Sequence, residues 1–193
     1  RLIERLALAQ SCAQIGVWDV DLIAGSVWWS PIAGELFGLQ TTPSIEQLLS
    51  IVHADDRAAV VTVFTDAYRS GTPVDAVFRL SQAGGSRWVA TRARFVCNAE
   101  GRPLRIVGAS FDVTERKRTQ MAAEEKASEL ETILQAVPAA VWIAQDPACG
   151  NIAGNAFARD LLRLSAEENM SKSSVDAAPA LRHFEVFGAD GHK

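Results

Sequence analysis

The run Arg105–Arg118, RIVGASFDVTERKR, passes from an apolar strand pattern straight into a charged helix. That junction constrains the fold more than any other feature, because a strand feeding directly into a helix couples a sheet mechanically to whatever the helix reaches. Asp112 and Glu115 stand three apart, a capping-box-like spacing in which Asp112 accepts hydrogen bonds from the first free helical N–H groups.

The residues before it predict what the junction closes. Leu2, Ala9 and Leu6 share a helical stripe over Leu2–Cys12, and Ile15–Leu22 alternates as a half-buried strand. Ala24-Gly25 reads as a turn into a second strand, Val27–Ser30. Ser30-Pro31 starts a short helix reaching Phe37-Gly38, Ser44 caps another, and Asp56–Arg69 carries an apolar helical stripe. Strands follow at Pro73–Leu80, Arg87–Cys97 and Leu104–Val113, separated by Ala83–Ser86 and Asn98–Gly101, both rich in residues that tolerate positive φ. The order predicts an α+β domain over residues 1–113 with an antiparallel sheet of five strands.

From 114 to 137 the pattern changes. Ala123, Ala127, Leu130, Leu134 and Val137 step by four and three around one stripe, and most other positions are charged or polar. Two heptads with small residues at the start make a weak lone coiled coil, so this linker helix is expected to pair with a partner chain. Beyond Pro138 come two short strands, Ala140–Ala144 and Asn151–Gly154, and a helix capped by Asn155. A turn at Ser165–Glu168, a polar loop over Met170–Ala180 and a strand at His183–Phe187 complete the expectation for 138–193.

Bulk properties exclude several classes. A net charge of −4 and a pI near 5.4 argue against general nucleic-acid binding, which needs a basic face. No apolar run approaches the ~20 residues of a membrane span. Cys12, Cys97 and Cys149 are sparse and odd in number, which fits a reducing cytoplasmic setting and small apolar residues rather than a disulfide framework. Starting at Arg1, the chain reads as a segment of a longer protein.

Several separated stretches resemble the PAS family. They are Ile15–Asp21, Trp29-Ser30 with Glu35–Gly38, and Val52–Arg57 (VHADDR, with Ala54 where the family has proline). Phe78-Arg79-Leu80, Gly85–Val89 and the Asp112–Arg116 junction complete them. Residues 138–193 resemble the opening of a second, truncated PAS domain of the kind that precedes HWE-type histidine kinases. The resemblance implies a PAS fold with short helices on one face of the sheet, and a sensor region of a bacterial two-component histidine kinase. It also implies a homodimer, a kinase domain outside these residues and a response regulator as partner. The alternatives are a ligand-free interaction module, or the sensor region of a diguanylate cyclase or phosphodiesterase.

The same resemblance places a ligand cavity on the concave face of the sheet, with Trp18, Trp28, Phe37, Phe64, Phe78, Arg79 and Thr91 as its candidate residues. Trp28 and Trp29 point to opposite faces, so only one of them can line it. Asp112, Thr114, Glu115 and Arg116 are the signal-relay candidates, and the Ala123–Val137 stripe the dimer linker. No catalytic residue or metal cluster is predicted, and the cofactor is unknown. The region between Trp29 and Arg94 lacks the cysteine of a flavin-thiol photocycle. The long helix lacks the histidine of the family's haem binders, which leaves His53 a disfavoured axial ligand, and the adjacent carboxylates Asp55 and Asp56 read as a helix cap and dipole complement.

Overall fold

The computed structural model describes residues 1–82, 85–165, 168–171 and 181, apart from the side chains of Leu2, Ile3 and Leu6. The expected Leu2/Leu6 stripe, the turn at Ser165–Glu168 across 166–167, the loop beyond 171 and the strand at His183–Phe187 lie outside the described residues.

Helix α1 (Leu2–Ala13) leads into strand β1 (Ile15–Asp21). Asp21 Oδ1 accepts the N–H groups of Ile23 and Ala24, both at 2.8 Å, and Gly25 takes φ +67°, turning the chain into β2 (Val27–Trp29). Helix α2 (Pro31–Phe37) starts on Ser30, whose hydroxyl accepts from Val17 N–H at 3.0 Å and from Ala33 N–H at 3.4 Å. One side chain thus caps the helix and pins it to β1. The close approach leaves no room for a Cβ at Gly16, which would stand 2.7 Å from Ala33 Cα.

Helix α3 (Ile45–Ile51) carries a full capping box between Ser44 and Gln47. Helix α4 (Ala54–Ser70) is capped by His53, whose Nδ1 accepts from Asp55 N–H, with Asp55 and Asp56 complementing the first-turn dipole. Strands β3 (Val74–Gln82), β4 (Gly85–Cys97) and β5 (Pro103–Asp112) complete an all-antiparallel sheet in the order β2-β1-β5-β4-β3. β5 is central and pairs with both β1 and β4.

Strand alternation separates two faces. Trp18, Val20, Ile106, Ser110, Val89, Thr91, Phe78 and Leu80 are buried on the inner face, under the helices. Leu80 is fully buried; such a leucine contributes ~1.5–3 kcal/mol.

Helix α5 (Thr114–Ala136) begins two residues after Asp112, and none of its residues is buried. The chain divides into two compact units, 1–120 and 121–193. In the second, strands β6 (Trp142–Ala144) and β7 (Ile152–Gly154) pair antiparallel and helix α6 (Ala156–Leu162) follows. Ala158, Leu164, Met170 and Leu181 form its small core. Asn155 organises this unit. Its Oδ1 accepts from Val141 and Ala158 N–H, and its Nδ2 donates to the carbonyls of Leu134, Val137 and Ala139.

Candidate functional site

An apolar cavity of about 390 Å³ lies between the inner sheet face and the helices, within the ~300–1,000 Å³ of small-ligand sites. Trp18, Thr91 and Ile106 floor it from β1, β4 and β5, and Phe78 and Phe95 stand on β3 and β4. Trp29 and Phe37, stacked at 6.0 Å between centroids, form one wall; Leu48, Leu49 and Phe64 form the others. Ile45, Val61 and Tyr68 also line it while remaining exposed, which sets the mouth between α3 and α4. Among the described lining residues none carries a charge.

The structure therefore brings Trp18, Phe37, Phe64, Phe78 and Thr91 together around this cavity. Trp28 does not belong there. It is 59% exposed and pairs with Asp19 on the outer row, whereas Trp29 sits opposite the inward Trp18 and takes the cavity position. Arg79 is also displaced, because alternation from the inward Phe78 turns it to the outer face. There its backbone N–H, Nε and Nη2 all donate to the Asp56 carboxylate at 2.6–2.9 Å, and its guanidinium lies 5.6 Å from the Trp88 ring centroid. These bonds from Arg79 hold the Asp56 carboxyl below its ordinary range.

At the floor, Trp18 Nε1–H donates to Ser110 Oγ at 2.9 Å, and Ser110 Oγ lies 2.7 Å from Thr91 Oγ1. Sequence reading named Trp18 and Thr91 but missed Ser110, 92 residues from its tryptophan. Gly108 makes this possible, since the Trp18 ring lies directly over its Cα.

The junction is tied to the same strands. Val113 N–H donates to Trp88 O at 2.9 Å, and Trp88 N–H donates to Thr114 Oγ1 at 2.9 Å. Asp112 Oδ1 accepts from the N–H of Thr114, the first residue of α5, at 2.7 Å, and Oδ2 faces Arg87 Nε at 3.5 Å. Arg87 Nη1 in turn donates to the carbonyls of Glu35 and Leu36, beside the cavity-lining Phe37. Lys117 lies over Trp88 at 5.6 Å, on a ring it shares with Arg79. Glu115 and Arg116 are exposed. A broad charged cleft of about 890 Å³, lined by Arg87, Asp112, Thr114 and Arg116, opens over this junction. On α5 and just past it, Ala123, Ala127 and Leu130 are exposed and Leu134 and Val137 half-buried. Cys12, Cys97 and Cys149 are free and exposed.

A five-stranded antiparallel sheet with helices over one face and a helix leaving its last strand defines a sensor-type domain, and comparison with known proteins names it. The PAS fold family model matches residues 26–110. A crystal structure of a sensory box histidine kinase/response regulator from Burkholderia thailandensis E264 is 30% identical with a TM-score of 0.58, covering 66% of this chain and 98% of that one. The chain belongs to the PAS family. Sensor protein FixL of Bradyrhizobium diazoefficiens is 28% identical over 67% of this chain and 26% of its own length. The probable diguanylate cyclase DgcE of Escherichia coli K12 is 28% identical over 73% of this chain and 13% of its own. The chain thus spans about a quarter or less of these relatives. No described helix is long and apolar enough to cross a membrane.

Proposed function

We propose that the chain is the signal-sensing and dimerising region of a cytoplasmic sensor histidine kinase. In this reading the cavity holds a small ligand, and its occupancy is relayed through α5 to a kinase domain and from there to a response regulator. The observation that carries the proposal is the bonding of Arg87 and Trp88. These neighbours on β4 hold the end of α2 and the start of α5 respectively, and Thr91 on the same strand floors the cavity. A ligand that repacks Phe37 or Thr91 shifts the strand and helix end that fix Asp112 and Thr114. Only a ligand with different affinities for the two arrangements moves the equilibrium between them.

The Ala123, Ala127, Leu130, Leu134, Val137 stripe supports pairing of α5 with its copy in a second chain, because its first half is apolar and exposed. Residues 138–193 are, in this reading, the opening of a second PAS domain. The relationship to DgcE supports a second output: the same relay driving a diguanylate cyclase.

The test is Asp112→Ala in the full-length protein. Output, measured as autophosphorylation or cyclic dinucleotide synthesis, is expected to change severalfold with ligand affinity retained. Equal loss of both would mean that Asp112 only supports folding.

A further inference from the structure

From the geometry of the cavity floor we infer that the ligand is a compact, uncharged, largely apolar molecule bearing one hydrogen-bond acceptor, such as a ketone or ether oxygen, which Thr91 recognises. The inference rests on the sensing role proposed above and adds the ligand's chemistry.

Counting hydrogens on the floor leads to this class. Trp18 Nε1, Ser110 Oγ and Thr91 Oγ1 carry three polar hydrogens, and among the described residues their side chains make only two contacts, Trp18 to Ser110 and Ser110 with Thr91. The indole N–H can only donate, so Ser110 accepts from it. If Ser110 then donates to Thr91, the Thr91 hydrogen has no protein acceptor. If Thr91 donates to Ser110, the Ser110 hydrogen is left instead. Both hydroxyls are buried on the inner face, but Thr91 lines the cavity and Ser110 does not, so the first arrangement places the remaining hydrogen where a ligand reaches it. Each bond in a Trp18→Ser110→Thr91→ligand chain polarises the next, which makes the terminal hydroxyl a better donor.

The walls set the rest of the chemistry. The remaining described lining is aliphatic and aromatic but for Thr65 and Tyr68, which lie on the helix side toward the mouth. With no cation in that lining, a carboxylate or phosphate would lose its hydration without a partner, which excludes anions from the class. The volume of about 390 Å³ sits near the lower end of ligand cavities and favours a compact body over an extended one. Aromatic faces of Trp18, Trp29, Phe37 and Phe64 suit a ring.

Three isosteric probes test this: acetophenone, α-methylstyrene, in which a methylene replaces the ketone oxygen, and benzoate. Affinities for the purified chain are read by ligand-observed NMR titration against wild type, Thr91→Val and Thr91→Ser. Acetophenone is expected to lose roughly three- to tenfold in affinity in Thr91→Val and to recover in Thr91→Ser, as a neutral hydrogen bond requires. α-Methylstyrene is expected to bind Thr91→Val at least as well as wild type, and benzoate to bind neither detectably. Recovery by Thr91→Ser separates the missing hydroxyl from a general packing defect. If both uncharged probes bind but Thr91→Val leaves acetophenone unchanged, or weakens both alike, the donor assignment is wrong while the sensing site stands. Tighter binding of benzoate than acetophenone would overturn the uncharged class. Binding of no probe to any variant would mean that the cavity takes no such ligand, and the sensing role would fall with the inference.

Discussion

Replacing Gly108 by Ala should damage the cavity floor in a way that can be sized. A Cβ there would stand 2.2 Å from Trp18 Cζ2 and 2.6 Å from Cε2 and Cη2. Carbon atoms in good contact are ~3.5–4.0 Å apart, so the indole must retreat by more than about 1 Å. It cannot do so and keep its 2.9 Å bond to Ser110, nor its packing at 6.5 Å from Phe64. Overpacking of this kind costs ~1–3 kcal/mol, and the hydrogen bond adds ~1 kcal/mol. The reduced freedom of the unfolded chain returns ~0.4–1 kcal/mol, which leaves a net loss of about 1–3.5 kcal/mol. Urea unfolding followed by tryptophan fluorescence should show a midpoint lower by roughly 1 M at ~2 kcal/mol/M. In a Trp18→Phe background the same substitution should cost much less, since the smaller ring has already vacated the space. A midpoint shift below about 0.3 M, or an equal cost in both backgrounds, would refute the assignment of Gly108 as the seat of the Trp18 ring.

Three further outcomes follow from named contacts. Trp29→Ala should destabilise the first unit by about 2–3 kcal/mol and Trp28→Ala by less than about 0.5, in the same urea assay, because only Trp29 packs in the cavity wall. Asp56→Asn should cost about 2 kcal/mol at neutral pH by weakening its bonds to Arg79. Because the folded pKa of Asp56 is lowered, wild type holds that stability above the ordinary value of 3.8 and loses it as the pH falls from there through the folded value. Unfolding midpoints of wild type and variant should therefore converge at acid pH. Asn155→Ala should leave three carbonyls and two N–H groups without their partner and selectively raise hydrogen exchange across Val141–Leu162, leaving residues 15–112 protected as before.

The five strands, their succession along the chain and the start of α5 were legible because their signals are local. Alternation in Ile15–Asp21, turn residues at Gly25 and Gly101, and the Asp112–Glu115 spacing each act within a few residues. The cavity was legible only in part. In a strand as short as Val27–Trp29, alternation separates the two tryptophans but cannot say which one faces inward; the pairing of Trp29 with Trp18 decides it. Arg79 was read as a cavity group although its neighbours Phe78 and Leu80 already assign it to the opposite face. Its actual partner, Asp56, lies 23 positions away on another element. The Trp18–Ser110–Thr91 chain spans three strands, so register alone creates it. Asn155 was legible as a cap, but its three acceptor carbonyls depend on the path of 134–139.

Amide hydrogen exchange reads whether cavity occupancy reaches α5 through β4. Exchange would be followed at Trp88, Val113 and Thr114–Lys117, with and without saturating acetophenone, in wild type and in Thr114→Val. Occupancy is expected to change protection at Trp88 and Val113 and through the first turn of α5 in wild type. In Thr114→Val, which removes the hydroxyl accepting from Trp88 N–H, the α5 response should disappear while Thr91 and Phe78 still respond. Changed protection around the cavity with none at Val113 or α5 in wild type would contradict such a relay.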